Sequence, residues 1–272
     1  MKSILFFSTL LFSLFIGQRA NACSILYFRD STTGKVYIAN NEDYWYDAKA
    51  YIKVVPKSKD SYARLWYGWN NFAQGGVNEF GLFFDGAVTP KEQPIRGYGK
   101  PKGNLGDELL AKCKTTQEVV DYLESKKVAL TDGHLLIGDK GGNAVVLEWV
   151  NGERKLTYIT TDHLMVTNFL LADPAKGGYP CPRYQAMEND LQLIKTNHEA
   201  VDLKRVGRVI AKAVQVPQKD KDGRTFGTLY STFINLTDME FKLVYKLDNS
   251  RLTQLDLNEV FKTSKQIKTV LQ

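Results

Sequence analysis

One cysteine of this chain stands where it could do chemistry with little help. Cys23 directly follows Ala20-Asn21-Ala22, an A-x-A cleavage pattern, and upstream lie Lys2 and the apolar run Ile4–Ile16. Together these have the layout of a secretory signal. Cleavage after Ala22 would give one residue both a thiol and a free α-amino group. An α-amine titrates near ~7.7–8.0 and a free thiol near ~8.5, so the amine can accept the thiol proton close to neutral pH. The thiolate is the nucleophilic form of cysteine, and pairing with an N-terminal amine is one way to activate such a nucleophile. The chemistry expected is attack on a carbonyl through a covalent intermediate, with no histidine required.

The other reactive side chains add no rival centre. Besides Cys23 there are Cys113 and Cys181, an odd total that leaves at least one thiol unpaired. Cys113 sits with Leu109 and Leu110 in an expected helix and reads as a small core residue; a Cys113–Cys181 disulfide stays open, since it depends on geometry. His134, His163 and His198 have no ligand spacing, so neither a metal nor any other cofactor is expected. The formal charge is +6, and loss of Lys2 and Arg19 with the signal lowers it by two to +4. Basic and acidic residues are interleaved, so nothing points to a nucleic-acid partner. The apolar run is short for a transmembrane span, and no stable membrane insertion is expected. A lipid-attachment signal favours an aliphatic residue three places before its cysteine, where this chain has Ala20. Ordinary cleavage and a secreted or periplasmic location are therefore expected over lipid anchoring at Cys23.

Hairpins dominate the elements that would hold Cys23 in place. Residues 24–29 and 35–40 flank the turn Ser31-Thr32-Thr33-Gly34, and further strands are expected over 51–55 and 62–69. The stretch 75–84 should be a glycine turn leading into a buried strand over 82–84. Helices follow over 105–114 and after Thr115, which forms a capping-box pattern with Glu118. Asn151-Gly152 joins strands 144–150 and 153–160 as a type I′ hairpin. A strand over 164–168, helices over 183–194 and 200–214, and a hairpin of 228–236 with 240–247 complete the reading. Parallel crossovers are missing, which predicts an α+β architecture of antiparallel sheets with helices layered on them. After removal of residues 1–22 as signal, residues 23–272 read as a single domain, with no composition break inside.

Three segments carry a family likeness: Cys23-Ser24-Ile25, Tyr37-Ile38-Ala39-Asn40-Asn41-Glu42-Asp43-Tyr44-Trp45, and Gly75-Gly76-Val77-Asn78-Glu79-Phe80-Gly81-Leu82. They resemble the choloylglycine hydrolase and penicillin V acylase superfamily of N-terminal nucleophile hydrolases. The resemblance implies a four-layer αββα sandwich of two antiparallel sheets. It implies Cys23 as nucleophile with its amine as base, and Asp43 as the aspartate that holds that amine. Asn168, in Val166-Thr167-Asn168, resembles the asparagine that donates to the oxyanion. Arg183, in Pro182-Arg183-Tyr184, resembles a late active-site arginine. The family's second oxyanion donor, a backbone N–H, would fall near Ala87 or Val88. One place departs from the family: Asn40 stands where an arginine normally lies near the thiol, and an amide stabilises a thiolate less than a guanidinium does. The aromatic cluster Trp45, Tyr46, Trp66, Tyr67, Trp69 and Phe72 reads either as core packing or as an acyl-binding pocket. In the second case Trp45 and Trp66, with Asn40 and Val88, would touch substrate.

The function expected is hydrolysis of a non-peptide linear amide, in a small-molecule N-acyl substrate such as an N-acyl amino acid, a bile-salt conjugate or penicillin V. An acyltransferase of the same superfamily is the nearest alternative. A Cys23-lipidated surface protein that binds a ligand on an inactive version of the fold is the alternative from another class. A homo-oligomer is compatible with either.

Overall fold

Strands that must be buried on both faces cannot alternate apolar with polar residues, and the first two strands of this chain show the consequence. The computed structural model describes residues 23–272, and the expected signal segment 1–22 lies outside them. The chain begins with β1 (Ser24–Arg29), β2 (Val36–Trp45), β3 (Tyr51–Val55), β4 (Arg64–Trp69), β5 (Phe72–Asn78) and β6 (Leu82–Val88). Helices α1 (Leu105–Lys112) and α2 (Thr116–Ser125) precede β7 (Gly133–Asp139), β8 (Ala144–Val150), β9 (Glu153–Tyr158) and β10 (His163–Val166). Next come α3 (Pro182–Thr196), α4 (Leu203–Ala211), β11 (Gln218–Lys219), β12 (Thr225–Asn235), β13 (Glu240–Tyr245) and β14 (Asp248–Asp256). A short α5 (Leu257–Val260) and β15 (Ile267–Val270) finish the chain.

The strands form two sheets whose ladders are all antiparallel. One runs β10-β1-β2-β12-β13-β14, with β11 on β12; the other runs β15-β3-β4-β5-β6-β7-β8-β9. Three apolar cores separate four layers. On β1, Ile25 and Tyr27 enter the core between the sheets, where they meet Ile52, Leu65, Tyr67, Phe83, Leu136 and Val146. Leu26 and Phe28 point the other way, onto Met187 and Leu191 of α3 and Val206 and Val209 of α4. The outer face of the second sheet is clad by α1 and α2, with Trp66, Phe84, Leu109, Leu110 and Val120 at the contact. The successive side chains of each strand therefore serve different cores, as a pleat of period two requires. This is the αββα sandwich expected.

The Asn78-Glu79-Phe80-Gly81-Leu82 motif turns out to be architectural. Asn78 Oδ1 accepts from the N–H groups of Phe80 and Leu82, while its Nδ2 donates to the carbonyls of Leu110 and Cys113 at the end of α1. Gly81 supplies the positive φ of +76° that closes the β5–β6 turn. The expected glycine turn over 75–84 contains this one, although Gly75 and Gly76 themselves lie inside β5. Gly75 is small for a different reason: a Cβ there would stand 2.4 Å from Asp85 Oδ2 and 2.5 Å from Tyr67 Oη. Thr115 caps α2 as expected by accepting from the Glu118 N–H, but the Glu118 carboxylate reaches the N–H of Lys114 rather than that of Thr115. The three cysteines are unbonded. Cys113 lies in the core under α1 and α2, whereas Cys181 begins α3 on the opposite outer layer.

Candidate active site

The strand β2 holds four polar residues in a row, Asn40-Asn41-Glu42-Asp43, and all are buried to within 3%. Polar groups placed so deep must be hydrogen-bonded or serve a purpose beyond packing. Strand alternation sends them to different places. Asn41 and Asp43 face the layer of α3 and α4: Asn41 Nδ2 donates to the Ile210 carbonyl, and Asn41 Oδ1 accepts from Ser231. Asn40 and Glu42 face the space between the sheets. Since Ser24 pairs with Asn41, Cys23 comes to lie across from Glu42, at the head of β1.

There the Cys23 thiol donates to Glu42 Oε1 at 3.2 Å. Both groups are buried, and both face the cavity described below. Burial pushes the thiol well above its ordinary value, and the charges of Glu42 and Asp43 push it the same way. Glu42 is itself raised, by burial first and then by the charge of Asp85. Asp85, on β6, is raised by burial, although it accepts from Tyr67 Oη at 2.7 Å and from the Gly86 N–H. Asn40 completes this interior cluster. Its Oδ1 accepts from the Thr232 hydroxyl at 2.5 Å, and that hydroxyl lies 3.3 Å from Tyr67 Oη.

Asp43 accepts from the Thr228 hydroxyl at 2.6 Å, beside a β-bulge in the pairing of β12 with β2. Its carboxyl is pushed up to about 7 by burial, with Thr228 and the Arg183 charge pulling the other way. Arg183, near the start of α3, joins the sequence candidates. It donates to the Cys23 carbonyl at 3.2 Å, to Ser24 Oγ at 2.9 Å and to Asn168 Oδ1 at 2.8 Å, and Nη1 lies 3.7 Å from Asp43. A planar guanidinium can reach several acceptors at fixed angles, which an ammonium cannot. By occupying Oδ1, Arg183 orients the Asn168 amide, whose Nδ2 donates to the Val88 carbonyl at 2.8 Å.

The Asn168 segment is secured from behind. Buried His134 contacts the Thr167 carbonyl through Nε2 at 2.8 Å and Glu148 Oε1 through Nδ1 at 3.0 Å. Glu148 also accepts from the N–H groups of Leu171 and Ala172, each at 2.8 Å. A backbone carbonyl can only accept, so Nε2 carries a proton. Gly177, at φ +88°, packs where a Cβ would stand 2.9 Å from the Asn168 carbonyl.

A cavity of about 320 Å³ opens onto the thiol. Tyr44, Trp69 and Phe72 line one side, Phe84, Leu105, Leu109 and Leu135 another, and Glu42 and His134 contribute polar atoms. Tyr44 and Trp69 stack at 4.3 Å between ring centroids. Val88, half exposed, also lines it. Trp45 and Trp66 do not. Trp45 lies on the helix side of β2, edge-on to Phe226 and under Arg224. Trp66 is buried in the core below α1, beside Tyr51. Both expectations fall on the wrong strand face: on β2 the cavity side chain is Tyr44, one residue before Trp45, and on β4 it is Trp69, three residues after Trp66. Asn40 is buried beneath the site and is not among the lining residues.

Glu42, Asp85, His134 and Glu148 were not singled out from the sequence. Glu42 stood in plain view between Asn41 and Asp43, and the run of four polar residues within an apolar strand was its signal. Glu148 sits in a strand that otherwise reads as ordinary core, Asp85 lies just past the expected strand, and no strand was expected around His134.

Two facing antiparallel sheets clad by helices, with a cysteine heading the first strand beside an aspartate, an asparagine and an arginine, define the fold class of the N-terminal nucleophile hydrolases. Within it, the family model described as acyl-coenzyme A:6-aminopenicillanic acid acyl-transferase matches residues 30–248, and the chain belongs to that family. A solved variant of the conjugated bile acid hydrolase from Clostridium perfringens is similar at a TM-score of 0.72 and 16% identity, over 92% of this chain and 97% of that one. Penicillin V acylase from Agrobacterium tumefaciens gives 0.67 at 15% identity, over 90% of each chain. A Caenorhabditis elegans orthologue of N-acylethanolamine-hydrolyzing acid amidase gives 0.57 at 14% identity, over 92% of this chain and all of that one. At such identities the likeness is one of fold, and it agrees with the superfamily resemblance read from the motifs. The comparison with curated proteins gives no match.

Proposed function

We propose that this chain is an exported amidase that cleaves non-peptide linear amides through Cys23, freed as the N-terminal residue when residues 1–22 are removed. The observation that carries this reading is the Arg183 hub, which binds the backbone of Cys23, the Ser24 hydroxyl and the Asn168 amide at once, next to Asp43. A purely structural arginine would not need to draw those particular groups together. Asp43 Oδ2 is buried and makes no hydrogen bond, with the Arg183 guanidinium 3.7 Å away, as suits an acceptor for a free α-ammonium at Cys23. In the cycle the thiol sulfur attacks the amide carbonyl, and Asn168 Nδ2 with a backbone N–H near Ala87 or Val88 holds the oxyanion. The C–N bond breaks with proton transfer to the leaving amine, and water then hydrolyses the thioester with the α-amine as base.

The cavity favours an apolar acyl group. Its aromatic and leucine walls would hold an aliphatic or arylacyl chain of the kind found in N-acyl amino acids, bile-salt conjugates or penicillin V. The test is turnover of a panel of N-acyl substrates by the exported protein, with amine release as readout. Hydrolysis that is lost in Cys23→Ala supports the reading, and full activity of that variant contradicts it.

A second reading has one observation in its favour: the matching family model is described as an acyl-transferase. If an amine rather than water resolves the thioester, an added amine acceptor will appear as its N-acyl product at the expense of free acid.

A further inference from the structure

Among the described residues, six buried side-chain polar atoms have no hydrogen-bond partner. Four of them, Asn40 Nδ2, Glu42 Oε2, Asp43 Oδ2 and Tyr230 Oη, lie on β2 or directly opposite Glu42 on β12. Polar atoms without partners are costly in a packed interior and cluster where a site is built. The reading of Cys23 as nucleophile leaves Glu42 without a task, although its carboxylate accepts the hydrogen bond of that very thiol.

We propose that Glu42 is a second catalytic base, which takes the proton of the Cys23 thiol as sulfur attacks and returns it when the thioester is cleaved. This deepens the reading above and rests on Cys23 being the nucleophile. Three observations support it. The thiol already points its proton at Glu42 Oε1 at 3.2 Å, within reach for transfer. Asn40, on the same face of β2 as Glu42, is an uncharged amide, and the charges of Glu42 and Asp43 both disfavour a charge on the sulfur. Attack coupled to proton transfer avoids a free thiolate among them. Finally, an α-amine titrating near ~7.7–8.0 is mostly protonated at neutral pH, which suits it to give a proton to the leaving amine rather than to take one from sulfur.

The protons balance. In acylation the S–H proton passes to Glu42, the S–C bond forms and the carbonyl becomes an oxyanion. The C–N bond then breaks, and the departing nitrogen takes a proton from the α-ammonium. In deacylation water gives a proton to the α-amine as its oxygen bonds the acyl carbon. The C–S bond breaks, and the thiolate recovers its proton from Glu42. The groups facing Glu42 are Cys23 from β1, Asp85 from β6, Tyr67 from β4, Tyr230 from β12 and His134 from β7, with Asp43 next to it on β2. Asp85 sets how readily Glu42 gives up its own proton, because one charge opposes the other in this interior.

The experiment needs no known substrate. The exported protein is treated with iodoacetamide, and modification of Cys23 is followed by peptide mass spectrometry against pH. As a base, Glu42 speeds alkylation, so Glu42→Gln is expected to react at least tenfold more slowly at pH 7. As a mere negative neighbour Glu42 disfavours the thiolate, so Glu42→Gln would react faster; an equal or faster rate in a folded variant overturns the proposal. Circular dichroism and the urea midpoint establish that the variant is folded, because an unfolded chain presents an ordinary thiol that is mostly protonated at pH 7. Should Glu42→Gln fail to fold, Asp85→Asn keeps Glu42 and removes the charge that holds its proton. The acidic limb of the alkylation profile is then expected to move to lower pH, and an unmoved limb overturns the proposal. Alkylation is read without turnover, so failure here leaves the amidase reading to stand or fall on its own test.

Discussion

The Cys23 thiol faces a carboxylate, and the cationic side chain joined to that residue binds its carbonyl group instead. The division gives separable expectations for single residues. Cys23→Ala removes the proposed nucleophile, and Cys23→Ser replaces its sulfur; both should abolish turnover while leaving the urea midpoint within experimental scatter. Asn168→Ala removes a donor aimed by Arg183, and loss of one oxyanion donor typically costs about 3 kcal/mol of barrier. We expect kcat to fall on the order of a hundredfold with KM little changed, measured by steady-state kinetics. A large rise in KM with kcat intact would show that Asn168 binds the ground state instead.

Strand alternation decides at the scale of elements which aromatic residues meet substrate. Tyr44 and Trp69 project between the sheets, whereas Trp66 serves the core below α1 and Trp45 packs against Phe226 and Arg224 on the opposite face of β2. Trp69→Ala should therefore raise KM for an apolar acyl substrate about tenfold or more, and Trp45→Ala should leave it within about twofold. Equal effects would place the acyl pocket elsewhere. The sequence announced an aromatic cluster but not its parity, because Trp45 and Trp66 each have an aromatic neighbour and either register reads as a strand. A similar lack of contrast hid β14 and β15, edge strands whose side chains are largely exposed and polar, so that no apolar pattern marked them. The Asn151-Gly152 hairpin, the Thr115 cap and Cys23 were legible from their own chemistry, whereas Asp43, Asn168 and Arg183 were legible only through the family resemblance. The His134–Glu148 pair was not legible, since a histidine and a glutamate in apolar strands gain meaning only when β7 and β8 pair. Removing one partner of a buried hydrogen-bonded pair costs on the order of 3–5 kcal/mol. Glu148→Leu should lower the urea-derived stability by about that much and loosen the Leu171–Ala172 amides in hydrogen exchange. A neutral result would mean the pair does not brace the Asn168 segment.

For the molecule as a whole, the interior acids set the pH at which the fold is firmest. Asp43 is raised to about 7, and Glu42 and Asp85 are raised well above ordinary carboxylates, each chiefly by burial. An acid raised in the folded state holds its proton after the unfolded chain has released it, so folding is favoured below the ordinary carboxylate range. That advantage fades as pH rises through the folded values. Carboxylates such as Glu92 and Asp238 are lowered by lysine partners and act the opposite way, losing their contribution only in stronger acid. The urea midpoint should therefore fall as pH is raised from about 5 to about 7, and the fall should shrink in Asp85→Asn. A midpoint that climbs over that range would contradict the assignment.

The central claim is that Cys23, as a free N-terminal residue, carries the acyl group, and one measurement addresses it directly. The exported protein is mixed with an N-acyl substrate, quenched in acid within the first turnovers, and weighed intact and as peptides. The account expects a chain beginning at Cys23 with an unmodified α-amine and an acyl thioester on its sulfur. A chain that keeps residues before Cys23, or one that carries a diacylglycerol or an amide-linked acyl group there, would contradict it.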